Sequence, residues 1–113
     1  MKRIEAIIKE ENLDAVKAAL EAAGFIGLTV FNCRGRGTGG GINLEWRAGT
    51  YKVDLLHKIM LMMIVKDHET TTVTDIILEV CKVDATSGAG KIFISPVEEV
   101  IRIRTNERNE DAL

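Results

Sequence analysis

Glycines followed by a lysine suit an anion, because bare backbone can approach it and turn N–H groups toward it. Gly88-Ala89-Gly90-Lys91 has that form. It is not a P-loop, since the Walker spacing and the Ser or Thr after the lysine are missing. A tight turn ahead of a surface lysine would carry the same residues. Arg102 and Arg104 alternate with Ile101 and Ile103. On an extended segment both guanidinium groups then leave the same side, where they can grip a polyphosphate from fixed donors. A charged edge that discourages aggregation has the same pattern. Gly35-Arg36-Gly37 places another arginine in flexible backbone and by itself reads as a hinge.

No catalytic set stands out. His57 and His68 are the only histidines, are not at metal-ligand spacing and read as surface residues. The acidic residues are scattered, and nothing resembles an activated serine or cysteine nucleophile. Cys33 and Cys81 lack metal spacing and read as free, buried thiols in a reducing cytosol. Met60, Met62 and Met63 read as core filler rather than a soft-metal site.

The elements that must position these residues repeat. Residues 2 to 9 alternate, with Ile4, Ala6 and Ile8 on one face, and predict a strand. Asn12 is a fair N-cap. Leu13, Val16, Leu20 and Ala23 follow at helical spacing, and Gly24 is placed to end the helix. Phe25 to Arg34 reads as a second strand. Ile59 to Lys66 predicts a strand buried on both faces, Thr70 to Val83 a helix, and Lys91 to Ser95 a strand stopped by Pro96. Two β-α-β units suggest an α+β, ferredoxin-like βαββαβ sandwich in one domain, 1–113, with two helices on one face of an antiparallel sheet.

That plan does not use Gly35 to Leu55, a segment of about 20 residues that is commonly functional or mobile in so small a domain. Its glycines, Gly35, Gly37, Gly39, Gly40 and Gly41, make the base easy to bend and costly to order. The expectation is a long mobile loop, disordered until an effector or partner reaches it.

Composition narrows the function. Hydrophobic residues make up 46% of the 113 and charged residues 28%, an ordinary globular mix. A net charge of −2 speaks against a nucleic-acid partner. No apolar run approaches the roughly 20 residues that span a bilayer, so direct membrane insertion is not expected. The opening Met1-Lys2-Arg3 runs straight into alternating sequence and does not read as a signal peptide. The expected location is cytoplasmic. A chain this small leaves apolar surface uncovered unless it self-associates.

The separate segments fit one family. Lys2-Arg3-Ile4-Glu5-Ala6-Ile7-Ile8 resembles the opening of the nitrogen-regulatory PII signal-transduction proteins. The run from Lys91-Ile92-Phe93-Ile94-Ser95-Pro96 through Val97-Glu98-Glu99-Val100-Ile101 to Arg102-Ile103-Arg104-Thr105 resembles their C-terminal signature almost residue for residue, and Glu107 to Leu113 follows their usual ending. Arg47, Tyr51, Val53, Asp54, Leu55 and Lys58 stand where the family's long T-loop returns to the sheet. The resemblance spans essentially the whole chain.

It implies a homotrimer with ATP or ADP bound in the clefts between subunits. By position, the nucleotide-binding residues are Gly27, Leu28, Thr29, Gly35, Arg36, Gly37, Thr38, Ile64, Gly88, Ala89, Gly90, Lys91, Arg102 and Arg104, the last two supplied by a neighbouring subunit. Lys58 falls at an effector-binding position, and Tyr51 where some members are uridylylated. The partner implied is an ammonium transporter or a nitrogen-assimilation enzyme, reached by the loop of residues 35–55. Thr38 and Gly39 stand where the family usually has arginine and then glutamine, and that glutamine helps hold Mg2+ and 2-oxoglutarate. Gly40 replaces a basic residue, Val83-Asp84-Ala85 replaces arginine-threonine-glycine, and Ala89 replaces an aspartate. The alternatives are a divergent PII-like module that binds another small effector or scaffolds a partner without sensing 2-oxoglutarate, and a small enzyme on the same fold.

Overall fold

The alternation at the start of the chain produces an edge-to-edge ladder. In the computed structural model, which describes residues 1–82 and 88–113, β1 (Lys2–Ile8) lies inside a four-stranded antiparallel sheet. The other strands are β2 (Thr29–Gly35), β5 (Leu56–Val65) and β6 (Gly90–Pro96), in the order β2-β5-β1-β6. The helices α1 (Leu13–Ala22) and α2 (Thr70–Lys82) cover one face. This is the ferredoxin-like arrangement expected.

The period-2 pattern decides what is buried. Ile4, Ala6 and Ile8 of β1 and Ile59, Leu61, Met63 and Val65 of β5 pack under Val16 and Leu20 of α1 and Val73, Ile77 and Cys81 of α2. Each large aliphatic side chain buried this way contributes about 1.5–3 kcal/mol. Helix α1 stops at Gly24, whose φ of +92° puts it in the left-handed region. The Phe25 N–H then reaches back to the Leu20 carbonyl and the Gly24 N–H to that of Glu21, both at 2.9 Å, a Schellman closure.

β5 differs from expectation. It is buried on one face only, with Met60, Met62 and Ile64 half-buried on the other, because helices cover a single side of the sheet. That open face also carries Ile7, Phe31 and Phe93, placed there by register: Phe31 and Ile7 flank Met60, and Glu5 lies between Met62 and Phe93. Cys33 is on this face and half-buried, so only Cys81 matches the expected buried thiol. β2 begins at Thr29 rather than Phe25, since Phe25 closes the helix end instead. Asn12 makes no side-chain cap hydrogen bond, because Glu10–Asn12 already forms a 3-10 turn leading into α1. Val83, the expected end of α2, lies outside the described residues.

The segment expected to be a disordered loop is a β-hairpin. β3 (Ile42–Trp46) pairs with β4 (Gly49–Val53) around the Arg47-Ala48 turn. The register Ile42↔Val53, Leu44↔Tyr51 and Trp46↔Gly49 gathers Ile42, Leu44, Trp46, Tyr51 and Val53 on one ribbon face, opposite Asn43, Glu45, Thr50 and Lys52. Alternation, not glycine content, governs this stretch. The glycines only enter it.

Candidate functional site

Most of the candidate residues converge on one end of the sheet. β2 ends there at Gly35, opposite Leu56; β1 ends at Ile8, opposite Ile59 and Gly90. Lys58 stands across from Cys33 on the open face, and its Nζ donates a 2.8 Å hydrogen bond to the Gly88 carbonyl. One cation thus spans from β5 to the glycine turn. Lys91 extends from the same face of β6, in the row of Ile7 and Met60.

The turn needs its glycines. Gly88 has φ +64°, and Gly90 has φ +113°, both in the left-handed region. A Cβ on Gly90 would stand 1.7 Å from the Ile7 carbonyl oxygen, and one on Gly88 would meet Lys58 Nζ at 3.4 Å. The turn therefore packs bare backbone against β1, with the Lys58 ammonium beside it. Ala89 is half-buried between them. Ser87 and the substituted Val83-Asp84-Ala85 lie outside the described residues.

At the same sheet end, Arg36 Nη1 donates to Asp54 Oδ1 at 2.7 Å, joining the chain leaving β2 to the chain entering β5. Gly37 accepts a 3.1 Å hydrogen bond from the Gly40 N–H, and Thr38 is exposed within that turn. Asp54 was not among the candidates from sequence. It entered only among the residues of the family resemblance, because its pairing with Arg36 depends on β2 and β5 being neighbours. Tyr51 is half-exposed on the apolar face of the hairpin.

The remaining candidates lie elsewhere in the chain. Gly27, Leu28 and Thr29 enter the far end of β2, where Thr29 faces Met62 and Ile64 is near. Six strand steps, about 20 Å, separate Thr29 from Gly35. Arg102 and Arg104 follow the far end of β6, where Pro96 pairs with Lys2. They do not alternate along an extended strand as expected. An isolated bridge between Ile101 and Arg108 closes a turn, with Asn106 N–H bonded to the Arg102 carbonyl at 2.9 Å and Asn106 itself at φ +61°. Arg102 donates to Glu107 Oε1 at 3.0 Å and to the Leu113 carbonyl at 3.2 Å, whereas Arg104 is exposed and makes no ion pair among the described residues. The local pairs of Arg102 bend the segment back on itself. Among the described residues, no hydrogen bond joins either arginine to the Gly88–Lys91 turn of its own chain.

Comparison with known proteins places this geometry. The family described as Nitrogen regulatory protein P-II matches residues 1–107. The chain belongs to the P-II family. It is similar to the nitrogen regulatory protein P-II of Microchaete diplosiphon, 43% identical over 113 residues that cover all of both chains. It is 44% identical over 113 residues to that of Nostoc punctiforme, again covering all of both. It is 46% identical over 113 residues to nitrogen regulatory protein P-II 2 of Methanothermobacter thermautotrophicus, all of this chain and 97% of that one. P-II proteins are signal-transduction regulators rather than enzymes, and this chain is a nitrogen-regulatory member of the family. Among the described residues, no helix is long and apolar enough to cross a membrane, and no three His, Cys, Asp or Glu side chains converge as metal ligands.

The residues present suit a polyphosphate. Lys58, Lys91 and Arg36 supply cations at one sheet end, which is the charge a polyphosphate would need there.

Proposed function

We propose that the protein is a homotrimeric, cytoplasmic P-II regulator that binds ATP or ADP in clefts between subunits and acts on a nitrogen-metabolism partner through residues 35–55. The observation that carries this reading is the meeting of Lys58 with the Gly88 carbonyl at the sheet end from which the hairpin leaves. A ligand there touches the glycine turn and the hairpin base together. The open sheet face with Ile7, Phe31, Met60, Met62, Ile64 and Phe93 supports self-association, since an uncovered face of that composition is unfavourable in water. In this reading Gly27, Leu28, Thr29 and Ile64 of one subunit lie toward the adenine, and the glycine turn of another lies toward the phosphates. Arg104, without an ion pair among the described residues, then reaches the phosphates of a neighbour's site, and Arg102 joins it on leaving Glu107. A partner such as an ammonium transporter or a nitrogen-assimilation enzyme takes the apolar face of the hairpin.

Mg2+ and 2-oxoglutarate are weaker ligands in this reading, because Gly39 brings no side-chain oxygen. Lys58 remains to hold an effector carboxylate. The second reading, a module for another small effector, is favoured by Thr38, Gly39 and Ala89. Titration calorimetry with ATP, ADP and AMP, with and without Mg2+ and 2-oxoglutarate, separates the two. Micromolar binding of ATP and ADP supports the first, and no heat with any adenine nucleotide overturns it.

A further inference from the structure

The Arg36–Asp54 pair closes the base of the hairpin at a point where the backbone is otherwise free to turn. Gly37, Gly39 and Gly40 precede it with nothing but the Lys52 ammonium near a Cβ position, and Gly40 has φ +77°. Beyond them the ribbon is tight: a Cβ on Gly41 would meet the Val53 carbonyl oxygen at 2.2 Å. The hairpin is thus a rigid ribbon on a glycine hinge, and one ion pair fixes its angle to the sheet. Both partners are 53% exposed, so the pair is weak and exchangeable.

We infer that Arg36 is a shared cation, held by Asp54 in the free protein and taken by the ligand polyphosphate in the bound one, so that binding unlatches the hairpin. A phosphate oxygen accepts stronger, bidentate hydrogen bonds from a guanidinium than an exposed carboxylate does in water. The ligand therefore has the differential affinity for the unlatched state that any such shift requires. Competition follows: Asp54 lowers ligand affinity, and ligand weakens the latch by the same factor. This rests on the nucleotide-binding reading above.

The test is ATP titration calorimetry with hydrogen exchange at the hairpin base, residues 35–41 and 54–56, on the wild type, Asp54→Asn and Arg36→Gln. All substituted side chains are exposed, and thermal unfolding confirms the folds. Asp54→Asn should bind ATP about two- to fivefold tighter, the worth of an exposed pair. Arg36→Gln should bind about tenfold or more weaker, as for a lost charged hydrogen bond. In the wild type ATP should speed exchange at the hairpin base. Asp54→Asn should already exchange at that faster rate without ATP, and adding ATP should change it little. If the wild type binds no ATP, the nucleotide reading fails and the shared cation with it. If the wild type binds but Asp54→Asn matches it in affinity and exchange, the latch alone is wrong.

Discussion

Gly90 and Ile7 approach so closely that a Cβ on the glycine would stand 1.7 Å from the Ile7 carbonyl oxygen. The obstacle is backbone of the central sheet, which cannot step aside as a flexible side chain can. With φ at +113°, the position is strained for any L side chain besides. Gly90→Ala should therefore destabilise the protein by about 3 kcal/mol or more, near the upper range for single substitutions. Gly27→Ala, with no positive φ and nothing within 4 Å, is the control and should stay within about 1 kcal/mol of wild type. Urea unfolding of both variants reads the difference directly.

Lys58 should matter more for ligand than for stability. Its bond to the Gly88 carbonyl is solvent-exposed, so in Lys58→Ala water takes its place and unfolding free energy falls by only about 0.5–1 kcal/mol. Binding of an anionic ligand at the turn should weaken about tenfold or more. Calorimetry with ATP and with 2-oxoglutarate, beside a thermal melt, checks both halves. A large stability loss with unchanged affinity would make Lys58 a structural brace only.

The open sheet face makes a specific demand on assembly. Light scattering should give three times the 12.5 kDa chain mass at micromolar concentration. Met60→Lys or Phe93→Asp on that face should yield the single-chain mass with helical circular dichroism retained, because neither side chain enters the core under α1 and α2. A wild-type monomer would remove both the assembly and the inter-subunit cleft.

The two thiols should react in order. Cys33 is half-buried on the open face, whereas burial on the core side of α2 pushes the Cys81 thiol above its ordinary 9.0. A thiol reagent at pH 8 should label Cys33 first in the monomeric variants, and Cys81 only on unfolding. The shift also predicts a pH effect. The raised folded value means that Cys81 contributes stability below pH 9.0 and loses it as pH rises beyond that, since the thiolate forms more readily in the unfolded chain. Cys81→Ala should show a shallower alkaline loss in thermal melts.

Periodicity in the sequence was enough to set the framework. Ile4, Ala6 and Ile8 alternate because one face of β1 is covered, and Leu13, Val16 and Leu20 recur at helical spacing because one stripe of α1 is. Gly24 ends its helix as its residue type requires. Those are local relations, so local sequence expresses them. The tertiary structure decided the rest. Ile42, Leu44 and Trp46 alternate as clearly as β1 does, yet the glycines before them suggested a loop, and only pairing with Tyr51 and Val53 shows a ribbon face. Ile101 to Arg104 reads as an extended run until Arg102 finds Glu107 and the Leu113 carbonyl and folds it back. Arg36 and Asp54 meet because β2 and β5 are neighbours in the sheet, and Lys58 meets Gly88 because the sheet brings β5 and the start of β6 to one end. Contacts of that kind join residues far apart in the chain. Side-chain type makes them possible, and strand order alone brings the partners within reach.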